Sequence, residues 1–175
     1  GGPMDYTPGI FFMDLAAVTE GRNDSWVNAT IANQLALYVT MSSPLQMAAD
    51  LPEHYAQFMD AFQFIKDVDL DWIQSKYLLA EPGEYVVVAR QGKKNGQWFC
   101  GGVTDDQKRT LEVPMNFLTP GKTYEATIYA DAENADYKEA PQAYRIWKQD
   151  VTAESVLSMT MARGGGFAIS FLEKQ

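Results

Sequence analysis

The sequence predicts an α+β fold in which a helical segment is followed by an all-β antiparallel sandwich. Two observations support this prediction. Apolar residues recur at helical spacing between residues 23 and 66, as at Ile31, Leu35 and Val39. After Trp72 the period changes to two, and short runs of β-branched and aromatic residues alternate with turn residues. At 175 residues the chain is long enough to bury a substantial core.

Three helix starts are predicted within the helical segment. N-cap candidates occur at residues 23–25, and residues 43–46 show the Ser-Pro-x-Gln pattern of a capping box. The third start is at Pro52, and one apolar face follows it. That face comprises Tyr55, Phe58, Met59, Phe62 and Ile65. An aromatic stripe at this spacing is typical of a packing face, so we expect it to contact a larger body.

The β part is predicted to contain seven or eight short strands. Residues 84–90 are rich in β-branched and aromatic side chains and are bounded by glycines. Asn95 and Gly96 separate two apolar runs, which predicts a hairpin because both residues tolerate positive φ. The further strands are predicted at residues 110–113, 124–129, 144–148, 156–161 and 167–171. Because no helical pattern separates these strands, the sequence predicts an antiparallel sandwich or barrel.

Charge and hydropathy exclude two classes of partner. The net charge is −9, so the field of the protein repels phosphate backbones, and we expect no nucleic-acid partner. The basic residues are scattered, and Lys93 with Lys94 forms a pair beside a predicted turn. No stretch reaches the roughly 18 to 20 apolar residues that a membrane span requires, so we expect no membrane span.

The residues able to support chemistry are few. Cys100 has no second cysteine to pair with and is interpreted as a small apolar residue in a strand. His54 has no Ser, Cys or acidic partner at a recognisable catalytic spacing and is interpreted as a surface or boundary residue. Residues 131–136, DAENAD, suit calcium by composition but lack the EF-hand spacing, so an acidic loop is the preferred interpretation. Residues 164–166, GGG, precede a strand and are interpreted as a flexible turn.

Glycoside hydrolysis needs two carboxyl groups placed across one sugar bond. The carboxylates nearest a plausible pocket are Asp5 and Asp14, and Tyr6 is able to stack on a sugar ring. Turn capping by Asp5 before Pro8 is the preferred interpretation of that carboxylate. The residues by themselves therefore predict a helical segment followed by an all-β domain, without a catalytic assignment.

Five blocks of sequence occur in the order GGPMDYTPGIF, QLALYVTMSSPLQMAADLPEHY, FIKDVDLDW, GEYVVVAR and ARGGGFAISF. Together they resemble the C-terminal end of glycoside hydrolase family 97, whose members have an N-terminal β-sandwich, a catalytic (β/α)8 barrel and a C-terminal β-sandwich. The resemblance implies that residues 1–75 form the C-terminal end of the barrel, with its last strand region and closing helices. It implies that residues 76–175 form the C-terminal antiparallel sandwich, associated with packing and oligomerisation.

The resemblance also implies an activity for a longer parent protein. The family hydrolyses α-linked glucosides or galactosides with calcium assistance, and its catalytic and calcium-binding carboxylates lie upstream of the matching segment. No catalytic or metal-ligating residue and no cofactor is therefore assigned to this chain. Since barrel active sites lie at the C-terminal ends of strands, Met4, Asp5 and Tyr6 are the candidate substrate-lining residues. We expect the isolated chain to have no hydrolase activity.

The implied partners are the upstream barrel and N-terminal domain, the oligosaccharide substrate of the parent, and a second copy in a homo-oligomer. Family members are typically exported bacterial enzymes, so the resemblance implies a periplasmic or otherwise exported location. Two alternatives stay open. A carbohydrate-binding module would present Trp98, Tyr129 or Trp147 to a sugar, and an oligomerisation element would self-associate through the apolar face of residues 55–65.

Overall fold

The structure is a computed structural model that describes residues 8–11, 27–41 and 48–175. Within these residues, three helices precede eight strands. The helices are α1 (Ile31–Thr40), α2 (Pro52–Ala56) and α3 (Met59–Asp67). The strands are β1 (Trp72–Glu81), β2 (Tyr85–Gly92), β3 (Trp98–Thr104), β4 (Arg109–Pro114), β5 (Tyr124–Asp131), β6 (Tyr144–Val151), β7 (Val156–Met161) and β8 (Gly166–Glu173).

The strands form two sheets. Six of them lie in the order β1-β2-β3-β8-β5-β6, and β4 pairs with β7 in a second, two-stranded sheet. Every pairing between named strands is antiparallel. The Asn95-Gly96 hairpin is confirmed between β2 and β3, with Gly96 at a φ of 74°. The predicted antiparallel sandwich is therefore confirmed as the main part of the fold.

Side-chain alternation gives the six-stranded sheet two faces. The sandwich face, with Ile128, Phe167 and Ile169, packs on the two-stranded sheet to form one apolar core. The helix face, with Phe99, Tyr129 and Ala168, packs on α1 and α3 to form a second core. The period of two in the sequence is the cause, because neighbouring residues along each strand point to opposite faces.

Helix α1 confirms the face predicted from helical spacing. Ile31, Leu35, Tyr38 and Val39 are all buried. Thr30 is the N-cap, and its side chain accepts a hydrogen bond from the Asn33 backbone N–H. The candidate caps at residues 23–25 and the capping box at residues 43–46 lie outside the described residues.

The continuous helix predicted after Pro52 is broken into α2 and α3. Phe58, between them, has a φ of −133° and a ψ of 44°, which is outside the helical region. The break changes which side chains face the sheet: Ala61 and Phe64 are buried, whereas Met59 is exposed. Among the described residues, no helix has the length and apolar character needed to cross a membrane.

Strand β1 is one edge of the six-stranded sheet and pairs only with β2 among the described strands. Its pairing with β2 shifts register twice, once between Trp72 and Gln74 and once between Tyr77 and Leu79. The predicted domain division after residue 75 falls within this strand, and the division stays a prediction.

Candidate functional site

Helix α1 lies on the helix face between two buried charged side chains. Asp131 stands at the end of β5 and is 4% exposed, and Arg90 stands on β2 and is 5% exposed. Buried charges are costly unless they are hydrogen-bonded, so their partners indicate what this face is built to hold. We call Thr30, Arg90 and Asp131, with the glycine turn at residues 164–166, the α1 cradle.

The Asp131 carboxylate accepts three hydrogen bonds. The Thr30 hydroxyl donates at 2.6 Å, and the backbone N–H groups of Ala162 and Gly166 donate at 2.8 and 3.0 Å. Burial raises the pKa of the Asp131 carboxyl to about 6, and these three hydrogen bonds offset part of that rise. Through Thr30, the carboxylate lies at the N-terminus of α1, the end of a helix that favours negative charge.

The three glycines at residues 164–166 form a turn against Asp131 and α1. Gly164 has a φ of 62°, and a Cβ atom at Gly165 would overlap the Asp131 carboxylate. The carbonyl of Gly165 accepts a hydrogen bond from Asn33 Nδ2 at 2.9 Å, and that of Gly164 accepts one from the Thr30 N–H at 3.1 Å. The turn is therefore shaped by its contacts with α1 as well as by the strands that flank it.

Arg90 contacts the opposite end of α1. Its Nε donates to the Val39 carbonyl at 2.5 Å, and its Nη2 lies 3.4 Å from the Thr40 carbonyl. Its Nη1 donates to Ser75 Oγ on β1 at 2.6 Å. The carbonyls of Val39 and Thr40 belong to the last turn of α1 and lack partners within the helix. This end of a helix also favours positive charge. The sheet thus supplies an anion at the start of α1 and a cation at its end.

A second group of contacts holds the backbone of residues 8–11. The Gln34 side-chain oxygen accepts hydrogen bonds from the N–H groups of Gly9 and Ile10 at 3.1 and 3.2 Å. The Tyr38 hydroxyl donates to the Pro8 carbonyl at 3.1 Å. Burial raises the pKa of the Tyr38 hydroxyl, so it stays a neutral donor. One buried face of α1 therefore fixes the path of this segment.

Contacts from α2, from Asp50 just before it and from the β part complete this second group. The Tyr55 hydroxyl donates to the Gly9 carbonyl at 2.7 Å. Asp50 Oδ2 accepts from the Phe11 N–H at 2.7 Å, and Gln142 Nε2, in the loop between β5 and β6, donates to the Phe11 carbonyl at 2.8 Å. Residues 8–11 are thus bonded to both the helical layer and the sandwich.

The candidate substrate-lining residues Met4, Asp5 and Tyr6 lie outside the described residues, as does Asp14. Their assignment stays a prediction. His54, for which no acidic partner was predicted, has one in the structure. Its Nδ1 contacts the carboxylate of Asp50, four residues earlier. The i to i+4 separation was the available sequence signal for this pair.

The three aromatic residues considered as a sugar platform have other contacts. Trp98 is in the sandwich core, and Tyr129 is buried with its ring 5.4 Å from that of Phe64. Trp147 is half-buried, and the Arg145 guanidinium lies 4.4 Å from the centre of its ring. The three rings therefore do not form a solvent-exposed platform.

The remaining chemical candidates are also accounted for by packing and pairing. Cys100 is completely buried in the sandwich core, and burial raises the pKa of its thiol. Within the DAENAD segment, Asp136 accepts a hydrogen bond from Arg163 Nε at 2.6 Å, and this partner lowers the pKa of Asp136 to about 2. Among the described residues, no group of three or more His, Cys, Asp or Glu side chains is placed to hold a metal ion.

A cleft of about 640 Å³ lies on the helix face, between the end of α3 and the hairpin that joins β2 to β3. Its lining includes Lys66, Asp67, Lys94 and Lys148. Asp67 accepts a hydrogen bond from Gln63, and Lys148 pairs with Glu125 at 3.4 Å. The other two lining carboxylates also have partners: Asp69 accepts a hydrogen bond from the Lys94 N–H at 2.8 Å, and Asp71 pairs with Lys93 at 3.0 Å.

The fold and the α1 cradle define a class of protein: a β-sandwich domain whose outer face binds a helical layer that precedes it in the chain. Comparison with known proteins gives the family. The family model described as "Glycosyl-hydrolase 97 C-terminal, oligomerisation" matches residues 71–172. The chain belongs to this family.

Similar proteins include two curated relatives and several solved structures. The chain is 34% identical to a retaining alpha-galactosidase of Bacteroides thetaiotaomicron, over 96% of this chain and 25% of that protein. It is 30% identical to a probable retaining alpha-galactosidase of Streptomyces bingchenggensis, over 95% of this chain and 23% of that protein.

The similar solved structures include those of a glycoside hydrolase family 97 enzyme from a Pseudoalteromonas strain. In its complex with acarbose, that enzyme superposes with a TM-score of 0.93 and 45% identity, over 99% of this chain and 27% of that chain. Its complex with panose gives a TM-score of 0.92. The chain thus spans about a quarter of the length of the relatives that it matches.

Proposed function

We propose that this chain forms the C-terminal packing and oligomerisation region of a family 97 α-glycosidase, and that catalysis depends on other parts of a longer protein. The match of residues 71–172 to the C-terminal oligomerisation family is the observation that supports this proposal. The bonding of residues 8–11 from α1, α2 and Gln142 supports the packing role, because it joins the sandwich to the preceding segment.

We infer further that residues 1–75 are the end of the catalytic barrel and that residues 76–175 are the sandwich domain. The helical layer on one face of the sheet is the support for this division. With a barrel upstream, Met4, Asp5 and Tyr6 are proposed to line the substrate cleft. Calcium would then be bound by residues of the rest of the enzyme, and an exported, bacterial origin is proposed from the family resemblance and the bacterial relatives.

Two substrate classes are proposed for the longer enzyme. The enzyme solved with panose, a glucose trisaccharide, is 45% identical over this region, and the retaining alpha-galactosidase is 34% identical. The higher identity favours α-glucosides as the first candidate. The two curated relatives described above are named as a retaining and a probable retaining alpha-galactosidase, and they support α-galactosides as the second.

The test compares the full-length protein with the isolated 175-residue chain on p-nitrophenyl α-glucoside and p-nitrophenyl α-galactoside. We expect the full-length protein to hydrolyse one of the two, with a lower rate after a chelator has removed calcium, and the isolated chain to hydrolyse neither. Hydrolysis by the isolated chain would overturn the non-catalytic assignment. A full-length protein that is inactive on both sugars would overturn the α-glycosidase assignment.

A further inference from the structure

Exposed apolar side chains are concentrated on and just before the edge strand β1. Leu70, Ile73 and Tyr77 are 40%, 56% and 69% exposed, and they are three of the seven exposed large hydrophobic side chains among the described residues. Exposed apolar side chains clustered along one edge strand are typical of an interaction surface.

Tyr77 also borders an apolar groove of about 470 Å³. Val86 and Val103 lie directly opposite each other on β2 and β3 in this groove, and Ala80 and Pro82 line it near the turn between β1 and β2. Tyr77 shares a face of the sheet with these valines, because it pairs with Val88, two residues along β2 from Val86. An exposed aromatic ring and a groove able to receive one therefore lie side by side.

The charged side chains near these residues are not placed to block association at this edge. The Lys76 ammonium lies 5.6 Å from the centre of the Trp98 ring of its own chain, so it points away from the free edge. At the rim of the groove, Arg109 pairs with Glu84 at 3.2 Å and with Asp105 at 3.3 Å, so two of the acidic groups there are neutralised by a cation of the same chain.

We propose that this patch is an isologous interface with a second copy of the chain, in which Tyr77 of each copy lies in the groove of the other. A two-fold contact requires that one patch hold both the inserted group and its receptor, and Tyr77 with the adjacent groove meets that requirement. The inference rests on the proposed oligomerisation function and identifies the surface that performs it. The apolar side chains, and not the irregularly paired backbone edge of β1, make the contact.

The test measures self-association of the full-length protein by analytical ultracentrifugation. Tyr77→Lys is expected to weaken association at least tenfold, as for a central aromatic interface residue. Matched controls are Val156→Lys and Leu172→Lys, because Val156 and Leu172 are 57% and 56% exposed on other strands. These controls are expected to leave association unchanged. Raising the salt concentration should strengthen association, because it screens the repulsion between two chains of net charge −9.

The outcomes separate this inference from the function on which it rests. If the wild-type protein associates and Tyr77→Lys does not weaken it, or if the controls weaken it equally, the β1 patch is not the interface, although oligomerisation stands. If the wild-type protein is monomeric at high concentration, both proposals fail. Ala80→Arg provides a second substitution on the exposed rim, and circular dichroism confirms that each variant is folded.

Discussion

On the sandwich face of the six-stranded sheet, the packing is between apolar side chains such as Ile128 and Phe167. On the helix face, apolar packing around Phe99 is combined with the buried charges Arg90 and Asp131 and their hydrogen bonds to α1 and its cap. Apolar packing is non-directional and accepts shifts and substitutions of similar volume, whereas buried hydrogen bonds require one geometry. The helix face therefore fixes the position of α1 as well as stabilising it, whereas the sandwich face provides stability alone.

The largest expected effect is loss of apolar packing on the helix face. Phe64→Ala is expected to lower the free energy of unfolding by about 3–5 kcal/mol, because it removes a buried ring that contacts Phe99 and Tyr129. Urea denaturation provides the measurement. Phe62→Ala, on the same helix, is the matched control, since Phe62 is half-buried. Equal losses in the two variants would contradict the burial of Phe64 as the cause.

The charge of Asp131 gives the next largest effect, through pH. Its native pKa of about 6 lies above the ordinary value of 3.8, so the native state retains its proton when the unfolded state has lost it. The stability of the native state relative to an Asp131→Asn variant is therefore expected to fall by ~3 kcal/mol in total as pH rises from about 3 to about 7, with ~2 kcal/mol of that loss between pH 4 and pH 6. Chemical denaturation of both proteins across this pH range is the measurement. A difference that rises with pH would mean that the three hydrogen bonds outweigh burial.

Removing the cation at the other end of α1 is expected to cost somewhat less. Arg90→Met keeps much of the side-chain volume but leaves the Val39 carbonyl and the Ser75 hydroxyl without this donor. It is expected to lower the free energy of unfolding by about 2 kcal/mol. Arg109→Met is the control, because Arg109 pairs with partly exposed carboxylates and should lose less than about 1 kcal/mol. If both variants lose the same stability, the position at the helix end has no special effect.

The smallest effect distinguishes two glutamines that bond residues 8–11. Gln34→Leu leaves two N–H groups, of Gly9 and Ile10, without their acceptor and is expected to lower stability by about 1–2 kcal/mol. Gln142→Leu removes one part-buried bond and should cost less, near 1 kcal/mol. Hydrogen exchange at Gly9 and Ile10 should accelerate in the first variant only. Equal acceleration in both would show that the segment opens as one unit.

Local pattern predicted the parts of the fold that repeat along the chain. The buried face of α1 and the alternation along the strands follow from the periods 3.6 and 2, and the Asn95-Gly96 hairpin follows from turn chemistry. The break at Phe58 was not predictable, because tertiary contacts decided it: the Phe58 ring contacts those of Phe11 and Tyr144. These rings are distant in sequence from Phe58 and left no local signal.

The α1 cradle was missed for the same reason. Asp131 was one of several acidic residues in a loop-like segment, and its partner Thr30 is separated from it by 101 positions. The three consecutive glycines at residues 164–166 were the available signal, because repeated glycine can mark a close approach as well as a turn. Periodicity identifies which residues are buried, whereas long-range polar pairing requires the fold to be known.

The position of β8 has a consequence for how the chain is made. β8 is the last of the eight described strands along the chain, yet it lies between β3 and β5 at the centre of the six-stranded sheet. A ribosome therefore releases β1–β3 and β5–β6 as two separate partial sheets, each with an open edge, until the residues of β8 follow. Such late closure between distant segments makes folding slow and exposes unpaired strand edges to aggregation. The nascent chain is accordingly most dependent on chaperones in the interval just before β8 emerges.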